Sequence, residues 1–296
     1  MNILITGGTG FFGKSMLDYR LRHPAWTDAA WTILSRNPQK FILENPQFAH
    51  VSGVEFIAGD VRDFELPGRA FDAVIHAATP AVTTLSDDEM ASIVVEGTRH
   101  ALAIAKQCGA RKFMLTSSGA VYGPQIASVD EDASCRPVTA YGKGKLLAEQ
   151  MCRDSGLHML LPRCFAFVGP YLKRDIHFAI GNFIRDCLSG NPIVINGDGT
   201  PMRSYLYADD LVEWLFAILE HGESGRPYNV GSGEGISIHD LAFKVRSVMG
   251  TSNEIVIRGK AGVGASSVYV PDVSRAEREL GLRVKVGLEE AIRKSI

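Results

Sequence analysis

Ile3-Leu4-Ile5-Thr6-Gly7-Gly8-Thr9-Gly10-Phe11-Phe12-Gly13 runs from a short apolar strand through a glycine-spaced turn into a segment that reads as a helix opening near Phe11. Gly8, Gly10 and Gly13 fit the GxGxxG spacing, in which the glycines permit a tight turn, close approach of backbone to a pyrophosphate, and packing of helix on sheet. The free N–H groups and positive dipole end of such a helix would face the phosphates. A glycine-rich turn that only reverses the chain would read the same way in isolation. The position directly behind an N-terminal strand favours a dinucleotide site, and Gly7, Gly10, Phe11, Phe12 and Gly13 are its candidate residues.

Working outward, apolar runs at 2–6, 31–35, 54–58, 73–76, 112–116 and 158–163 alternate with helix-like segments, which predicts βαβ units and a parallel sheet. Residues 87–108 carry Ile93, Ala101, Leu102 and Ala105 at helical spacing, and 141–155 place Leu146, Leu147 and Met151 on a helix face. Beyond about residue 165 the pattern loosens. Short strands are predicted at 193–195, 205–207, 228–230 and 268–270, with helices at 209–221, 238–249 and 274–280 and turns such as Gly197-Asp198-Gly199-Thr200-Pro201 between them. The expected fold is α/β: a doubly wound Rossmann parallel sheet with a smaller C-terminal α/β substrate lobe. Residues 1–165 would form the NAD(P)-binding domain, and 166–296 mainly the substrate lobe, interleaved with the Rossmann sheet.

Composition narrows the class. The chain has 296 residues, 46% of them hydrophobic, and a net charge of −2, which gives no electrostatic pull towards nucleic acid or an anionic membrane. No run approaches the length of a membrane span, and the first residues lack the basic region and cleavage site of a signal peptide, so a cytoplasmic location is expected. Cys108, Cys135, Cys152, Cys164 and Cys187 are odd in number and irregularly spaced, which suits reduced, buried thiols. The scattered histidines include no pair at ligand spacing, and no metal is expected.

A second constellation supplies chemistry. Thr116-Ser117-Ser118-Gly119-Ala120-Val121-Tyr122 ends a predicted strand, and Tyr141 and Lys145 follow on a predicted helix. Residues four apart share a helix face, so the ammonium can sit beside the phenol. A cation there favours phenolate, and an oxidised nicotinamide would add to the effect, drawing a phenol of reference pKa about 10 towards neutrality. Tyr141 then becomes a general acid/base for a carbonyl/alcohol pair, with the Ser118 hydroxyl stabilising charge on the same oxygen. A packing tyrosine and a merely capping serine are the plain alternatives. Their coincidence with an N-terminal dinucleotide turn favours catalysis.

With these pieces in view, the chain resembles the extended short-chain dehydrogenase/reductase family, in its NAD(P)-dependent nucleotide-sugar epimerase, dehydratase and reductase branch. The matching pieces are the 6–13 turn, Gly59-Asp60-Val61-Arg62-Asp63, His76-Ala77-Ala78, Gly97-Thr98, residues 117–123, Tyr141-Gly142-Lys143-Gly144-Lys145, Gly169-Pro170, residues 197–203 and Tyr228-Asn229-Val230-Gly231. The resemblance implies that Ser118, Tyr141 and Lys145 form the catalytic triad, that Asp60 and Val61 meet the adenine, and that Ala77 and Ala78 line the cofactor path. Ser117, Tyr141 and Lys145 would also touch the cofactor, with Lys145 on the nicotinamide ribose. Thr79, Ser118, Gly119 and Arg203 would meet a sugar-nucleotide substrate, Arg203 through its diphosphate.

Departures from the family pattern sharpen the expectation. NAD-using relatives carry an acid at the end of the second strand, where this chain has Ser35 and Arg36; these can accept a 2′-phosphate, so NADP(H) is favoured and NAD(H) stays open. The Asp-Glu pair of the dehydratases is Gly119-Ala120 here, which removes the proton relay for dehydration. Val94 and Ala166 replace family asparagines and Ser204 replaces an aspartate, and a donor near Asn182 would have to substitute for the Ala166 position. The expected activity is reduction of a keto-sugar nucleotide, a 4-keto-6-deoxy sugar by analogy, with Tyr141 as general acid. An NAD-dependent nucleotide-sugar 4-epimerase is the alternative, and a non-catalytic NADP-sensing protein a third. Pocket residues at 79–84 and 165–183 would choose the sugar. A homodimer through the helices at 87–108 and 141–155 is also expected.

Overall fold

The computed structural model describes residues 1–23, 28–79, 85–176, 178–259 and 267–296. Of the expected 79–84 pocket wall, only Thr79 lies within the described residues, and His177 of the 165–183 wall lies outside them. The first part of the chain runs β1 (Asn2–Thr6), α1 (Phe11–Arg22), β2 (Ala30–Ser35), α2 (Pro38–Glu44), β3 (Val54–Ala58), β4 (Ala73–His76), α3 (Asp87–Gln107), β5 (Lys112–Leu115), β6 (Ser117–Ser118), α4 (Ala140–Arg153) and β7 (His158–Cys164). Then follow β8 (Phe167–Val168), α5 (Ala179–Leu188), β9 (Ile193–Ile195), β10 (Met202–Arg203), β11 (Leu206–Tyr207), α6 (Ala208–His221), β12 (Pro227–Val230), β13 (Ile236–Ser237), α7 (Ile238–Val248), β14 (Ile255–Ile257), β15 (Val268–Tyr269), α8 (Ser274–Leu280) and α9 (Leu288–Arg293).

The main sheet has the order β12-β7-β5-β4-β1-β2-β3, with β6 added beside β7. Its pairings are all parallel, and the chain leaves β1 towards β2 on one side while β4 lies on the other. That switch point is where open α/β sheets bind ligands, at the carboxyl ends of the strands. Because strand side chains alternate between faces, Ile3 and Ile5 join a core with Met16 and Leu17 of α1 and Leu211 and Leu215 of α6. Leu4 points oppositely, into a core with Ala101 and Ala105 of α3 and Ala148 of α4. Each such fully buried aliphatic side chain contributes about 1.5–3 kcal/mol. The expected doubly wound sheet is present.

Local signals set the helix starts. Ser86 and Glu89 form a reciprocal capping box on α3, and Thr139 accepts from the amide of Gly142 to cap α4. By contrast α1 has Gly10 at its N-cap, no side-chain cap and no acidic residue in its first turn.

Small sheets build the lobe: β10 pairs β13 antiparallel and β15 parallel, β8 pairs β11, and β9 pairs β14. Their core gathers Ile180 and Ile184 of α5, Leu241 and Val245 of α7, and Ala291 and Ile292 of α9. The strand expected at 205–207 is present as Leu206–Tyr207, and a further strand, Met202–Arg203, precedes it. Met202–Arg203 pairs in one sheet and Leu206–Tyr207 in another, so the chain must turn between them. β12 and α6 leave the lobe's stretch of sequence to join the main sheet. No helix among the described residues is long and apolar enough to cross a membrane.

Candidate active site at the switch point

The glycine turn is shaped by close backbone approach. Gly7 has φ +74°, and a Cβ there would lie 2.4 Å from the carbonyl carbon of Ala77. At Gly13 a Cβ would stand 2.0 Å from the carbonyl oxygen of Gly8, whereas at Gly8 the obstacle is the side chain of Ile33. Gly7 therefore takes the left-handed position of the turn, ahead of the Gly8 that the spacing suggested. Ala77 donates its N–H to Thr6 O at 3.0 Å, tying the turn to the end of β4. Beneath it, His76 bridges Thr6 Oγ1 at 2.7 Å and Thr98 Oγ1 at 3.1 Å. Burial, reinforced by Lys145, pushes its imidazole down to about 3, so it stays neutral.

A phosphate pair fits here: the first amides of α1 have no side-chain cap, and Gly7 and Gly13 let the turn fold tightly against Ala77 and Gly8, where a Cβ would clash. The rings of Phe11 and Phe12 turn away to pack on Phe167, at 6.3 and 5.2 Å, leaving their backbone towards the turn.

At the far end of β2, Ser35 is buried and accepts from Asn37 N at 3.3 Å, while Asn37 caps α2. Asp60 is chelated by Arg62, with Nε to Oδ1 at 2.8 Å and Nη2 to Oδ2 at 3.1 Å. Hydrogen bonds from Arg62, with Arg36 also close, hold the Asp60 carboxyl below its usual range. Val61 turns its side chain onto Gly97 of α3.

Across the switch point, α4 delivers Tyr141 and Lys145 to the end of β6. Lys145 is buried, its Nζ donating to Thr79 Oγ1 and to Thr116 O, both at 2.8 Å. The Ser118 hydroxyl lies close enough to the Tyr141 phenol to favour its ionised form, and its Oγ accepts from Ala120 N at 3.2 Å. The structure thus brings Ser118, Tyr141, Lys145 and Thr79 together. The electrostatic expectation needs correcting. Desolvation outweighs the influence of the Ser118 hydroxyl and pushes the Tyr141 phenol up to about 12. Lys145 is itself pulled down to about 8 by burial, and its ammonium lies 5.9 Å from the Tyr141 ring centroid. The protein's own groups do not draw the phenol towards neutrality.

On the substrate side, a Cβ at Gly119 would come within 2.7 Å of the Phe165 ring, so the aromatic ring fills the space beside the missing acid. Phe165 packs on Tyr269, with centroids 4.8 Å apart, and Arg203 lies over that tyrosine's ring at 5.9 Å. The Arg203 guanidinium donates to Met202 O at 2.7 Å and Ser267 O at 3.2 Å. Tyr269 OH approaches Ser118 Oγ at 3.4 Å. Ser204 is wholly buried, and its hydroxyl has no partner among the described residues. The Asn182 amide is used inside α5, bonding Phe178 O at 3.1 Å, while its side-chain oxygen is buried and unpartnered among the described residues.

Ser117, expected against the cofactor, turns its hydroxyl into the protein and donates to Glu149 Oε1 at 2.6 Å. Glu149 and Tyr269 escaped the sequence reading. Glu149 had a signal, since it continues the Tyr141–Lys145 stripe at i+4; Tyr269 had none, lying on a two-residue strand far along the chain.

This strand order, an uncapped helix at the glycine turn and a Ser-Tyr-Lys cluster across the switch point define a Rossmann-fold enzyme of the short-chain dehydrogenase/reductase type. Residues 3–231 match the NAD dependent epimerase/dehydratase family, and the chain belongs to that family. Among its relatives, UDP-glucuronic acid decarboxylase 1 of Arabidopsis thaliana is 28% identical over 313 residues, spanning 99% of this chain and 68% of the relative. A solved structure of UDP-glucuronic acid 4-epimerase from Bacillus cereus, in complex with UDP-glucuronic acid and NAD, is 25% identical with TM-score 0.86, covering 100% of this chain and 98% of that one. The dTDP-glucose 4,6-dehydratase of Bacillus anthracis, in complex with NAD, shares the fold at TM-score 0.87 and 19% identity, over 100% of this chain and 95% of that one.

Proposed function

We propose that this protein reduces a keto-sugar nucleotide, of the 4-keto-6-deoxy class, with NADPH as the favoured cofactor. The observation that carries the reading is the convergence of Ser118, Tyr141 and Lys145 opposite the uncapped start of α1. The nicotinamide, when bound, supplies the hydride. Tyr141 Oη gives its proton to the carbonyl oxygen, and Ser118 Oγ donates a hydrogen bond to that oxygen, stabilising the charge that develops there. Lys145 would hold the ribose hydroxyls, and Thr79 and Thr116 O fix its ammonium for the task. Tyr141, with its phenol at about 12 in the protein alone, would be brought nearer neutrality by a positive nicotinamide beside it together with Lys145. Arg203 takes the substrate diphosphate, and Gly119 and Thr79 line the sugar site.

NADPH is favoured because no carboxylate closes β2 and because Arg62 already neutralises Asp60, leaving Arg36 beside the adenosine ribose to meet a 2′-phosphate. Gly119 and Ala120, walled by Phe165, lack the acids that dehydration needs. Residues 1–165 would hold the cofactor and 166–296 mainly the substrate, with pairs of chains joined through the outer faces of α3 and α4.

A 4-epimerase with captive NAD is the second reading, favoured by the whole-chain likeness to the Bacillus cereus epimerase. One assay separates them. NADPH and NADH oxidation is followed with 4-keto-6-deoxy sugars on CDP, dTDP, GDP and UDP, and UDP-glucuronic acid is incubated in parallel and its products separated. Net NADPH oxidation, abolished in Tyr141→Phe, is expected. Stoichiometric NAD in the purified protein with no net oxidation would transfer the assignment to the epimerase, and turnover unchanged in Tyr141→Phe would remove Tyr141 from its role.

A further inference from the structure

Beneath the Ser118–Tyr141–Lys145 cluster lies a second polar group with no role in the reaction just described. Glu149 is fully shielded from solvent and receives four donors. Ser117 Oγ and Arg163 Nε reach Oε1 at 2.6 and 3.0 Å, and Arg163 Nη2 and Arg153 Nη2 reach Oε2 at 2.9 and 3.3 Å. Arg163, 4% exposed, also donates to Tyr122 OH at 3.1 Å, which donates in turn to Asn229 Oδ1 at 2.7 Å on β12. Burial alone would raise the Glu149 carboxyl, yet the guanidinium of Arg163 with Ser117 and Arg153 holds it below its ordinary value.

Such a pair adds little net stability, because the desolvation of both charges roughly cancels their attraction. What it does fix is geometry. Tyr141, Lys145 and Glu149 fall at i, i+4 and i+8 on α4, one stripe facing the sheet. Ser117 and Ser118 are the whole of β6, and opposite them in register stand Arg163 and Cys164 of β7. One carboxylate therefore ties the helix that carries the phenol and ammonium to the two-residue strand that carries Ser118.

We propose that Glu149 is a positioning residue of the catalytic centre, a clamp that sets Ser118 against Tyr141 and Lys145 by holding Ser117 of β6 and Arg163 of β7 to α4. The clamp's effect on turnover rests on the hydride-transfer reading above, whereas its effect on β6 does not. Near-attack geometry is steep in distance, a misplacement of about 1 Å costing on the order of a hundredfold in rate. The loss should appear chiefly in kcat, since neither the glycine turn nor Arg203 touches the clamp and Lys145 keeps its bond to Thr79 when residues 116–119 loosen.

Two variants test it, assayed for kcat, KM and dinucleotide Kd, with hydrogen–deuterium exchange measured at residues 116–119. Ser117→Ala breaks only the link to β6 and keeps the Glu149–Arg163 pair. We expect its kcat to fall about tenfold with KM and Kd within about twofold, faster exchange at 116–119, and unchanged exchange in β1. Ser117→Thr, which restores the hydroxyl, should recover both. Glu149→Gln should act more strongly in the same pattern. The clamp is refuted if Ser117→Ala keeps wild-type kcat and exchange, or if kcat, KM and thermal stability decline together without rescue by Ser117→Thr. Should the wild-type protein transfer no hydride to or from any nucleotide sugar, the functional reading fails by itself, and exchange at 116–119 with its rescue decides the clamp.

Discussion

The N-terminal turn and the C-terminal lobe are built to meet their proposed ligands by different physical means. At the turn, backbone meets backbone: Gly7 and Gly13 face atoms 2.4 and 2.0 Å from where a Cβ would be. In the lobe the proposed diphosphate grip is a single guanidinium, Arg203, held by two carbonyls and the ring of Tyr269 on two-residue strands. The first arrangement tolerates almost no substitution, and the second is a matter of side-chain placement that many sequences could achieve. A cofactor shared across a family can be bound by the first kind of device. Substrate choice is more readily altered through the second.

The comparison breaks most visibly if a methyl group is added on each side. Gly13→Ala drives a Cβ into the carbonyl of Gly8, which no side-chain rotation can relieve, whereas Gly197 in the lobe has no atom of the described residues within 4 Å of its Cβ position. The expected cost of Gly13→Ala is at least about 3 kcal/mol in urea unfolding, with dinucleotide affinity lowered by more than about a hundredfold. Gly197→Ala should lie within about 0.5 kcal/mol of the parent and bind the dinucleotide unchanged. Equal losses in the two variants would mean that steric approach does not distinguish the regions.

Legibility in the sequence follows the same division. Ile3 to Gly13 could be read because the strand, turn and helix are contiguous and because the glycines are demanded by backbone contact. Tyr141 and Lys145 could be read because helical periodicity puts them on one face. The strand at 205–207 could be read but its neighbour Met202–Arg203 could not, because the two belong to separate small sheets and two-residue pairings leave little alternation to count. Tyr269 comes to within 3.4 Å of Ser118 from 151 residues away, a closure set by β10 pairing with β15 rather than by any local pattern. The protein's share of the Tyr141 pKa was misjudged for a related reason: spacing reveals a neighbouring cation but not the desolvation that raises the phenol in the protein alone.

A sharper test of the division uses Arg203→Met, which keeps the aliphatic stem beside Tyr269 and removes the charge. Charge-assisted hydrogen bonds are worth about 1.5–3 kcal/mol, so KM for the nucleotide sugar should rise by about 10- to 100-fold. Dinucleotide Kd should stay within about twofold of the parent, by the usual additivity of separated sites. A weakened dinucleotide with normal substrate KM would place Arg203 on the cofactor side and dissolve the proposed division at 165/166.

The smallest effect concerns Lys145, where the two regions meet. Burial lowers its folded-state pKa to about 8 from 10.5, so below about 8 both folded and unfolded chains carry the proton and the full penalty of the buried ammonium applies. Between about 8 and 10.5 the unfolded chain holds a proton that the folded chain has released, and stability from this group rises with pH. The penalty at neutral pH is on the order of 3 kcal/mol, of which the lost bonds to Thr79 and Thr116 would return part, so Lys145→Met should be modestly more stable than the parent at pH 7 and lose that advantage by pH 10. Binding moves in the opposite direction. An ammonium that donates to ribose hydroxyls is lost as pH passes about 8, so dinucleotide affinity should weaken by on the order of tenfold between about pH 7 and 9.5, while Lys145→Met binds weakly and without that step. Fluorescence titration of the dinucleotide across this range reads the step directly. A flat wild-type profile would show that the ammonium keeps its proton when the ribose is in place, and that the cradle, not Lys145, carries the affinity.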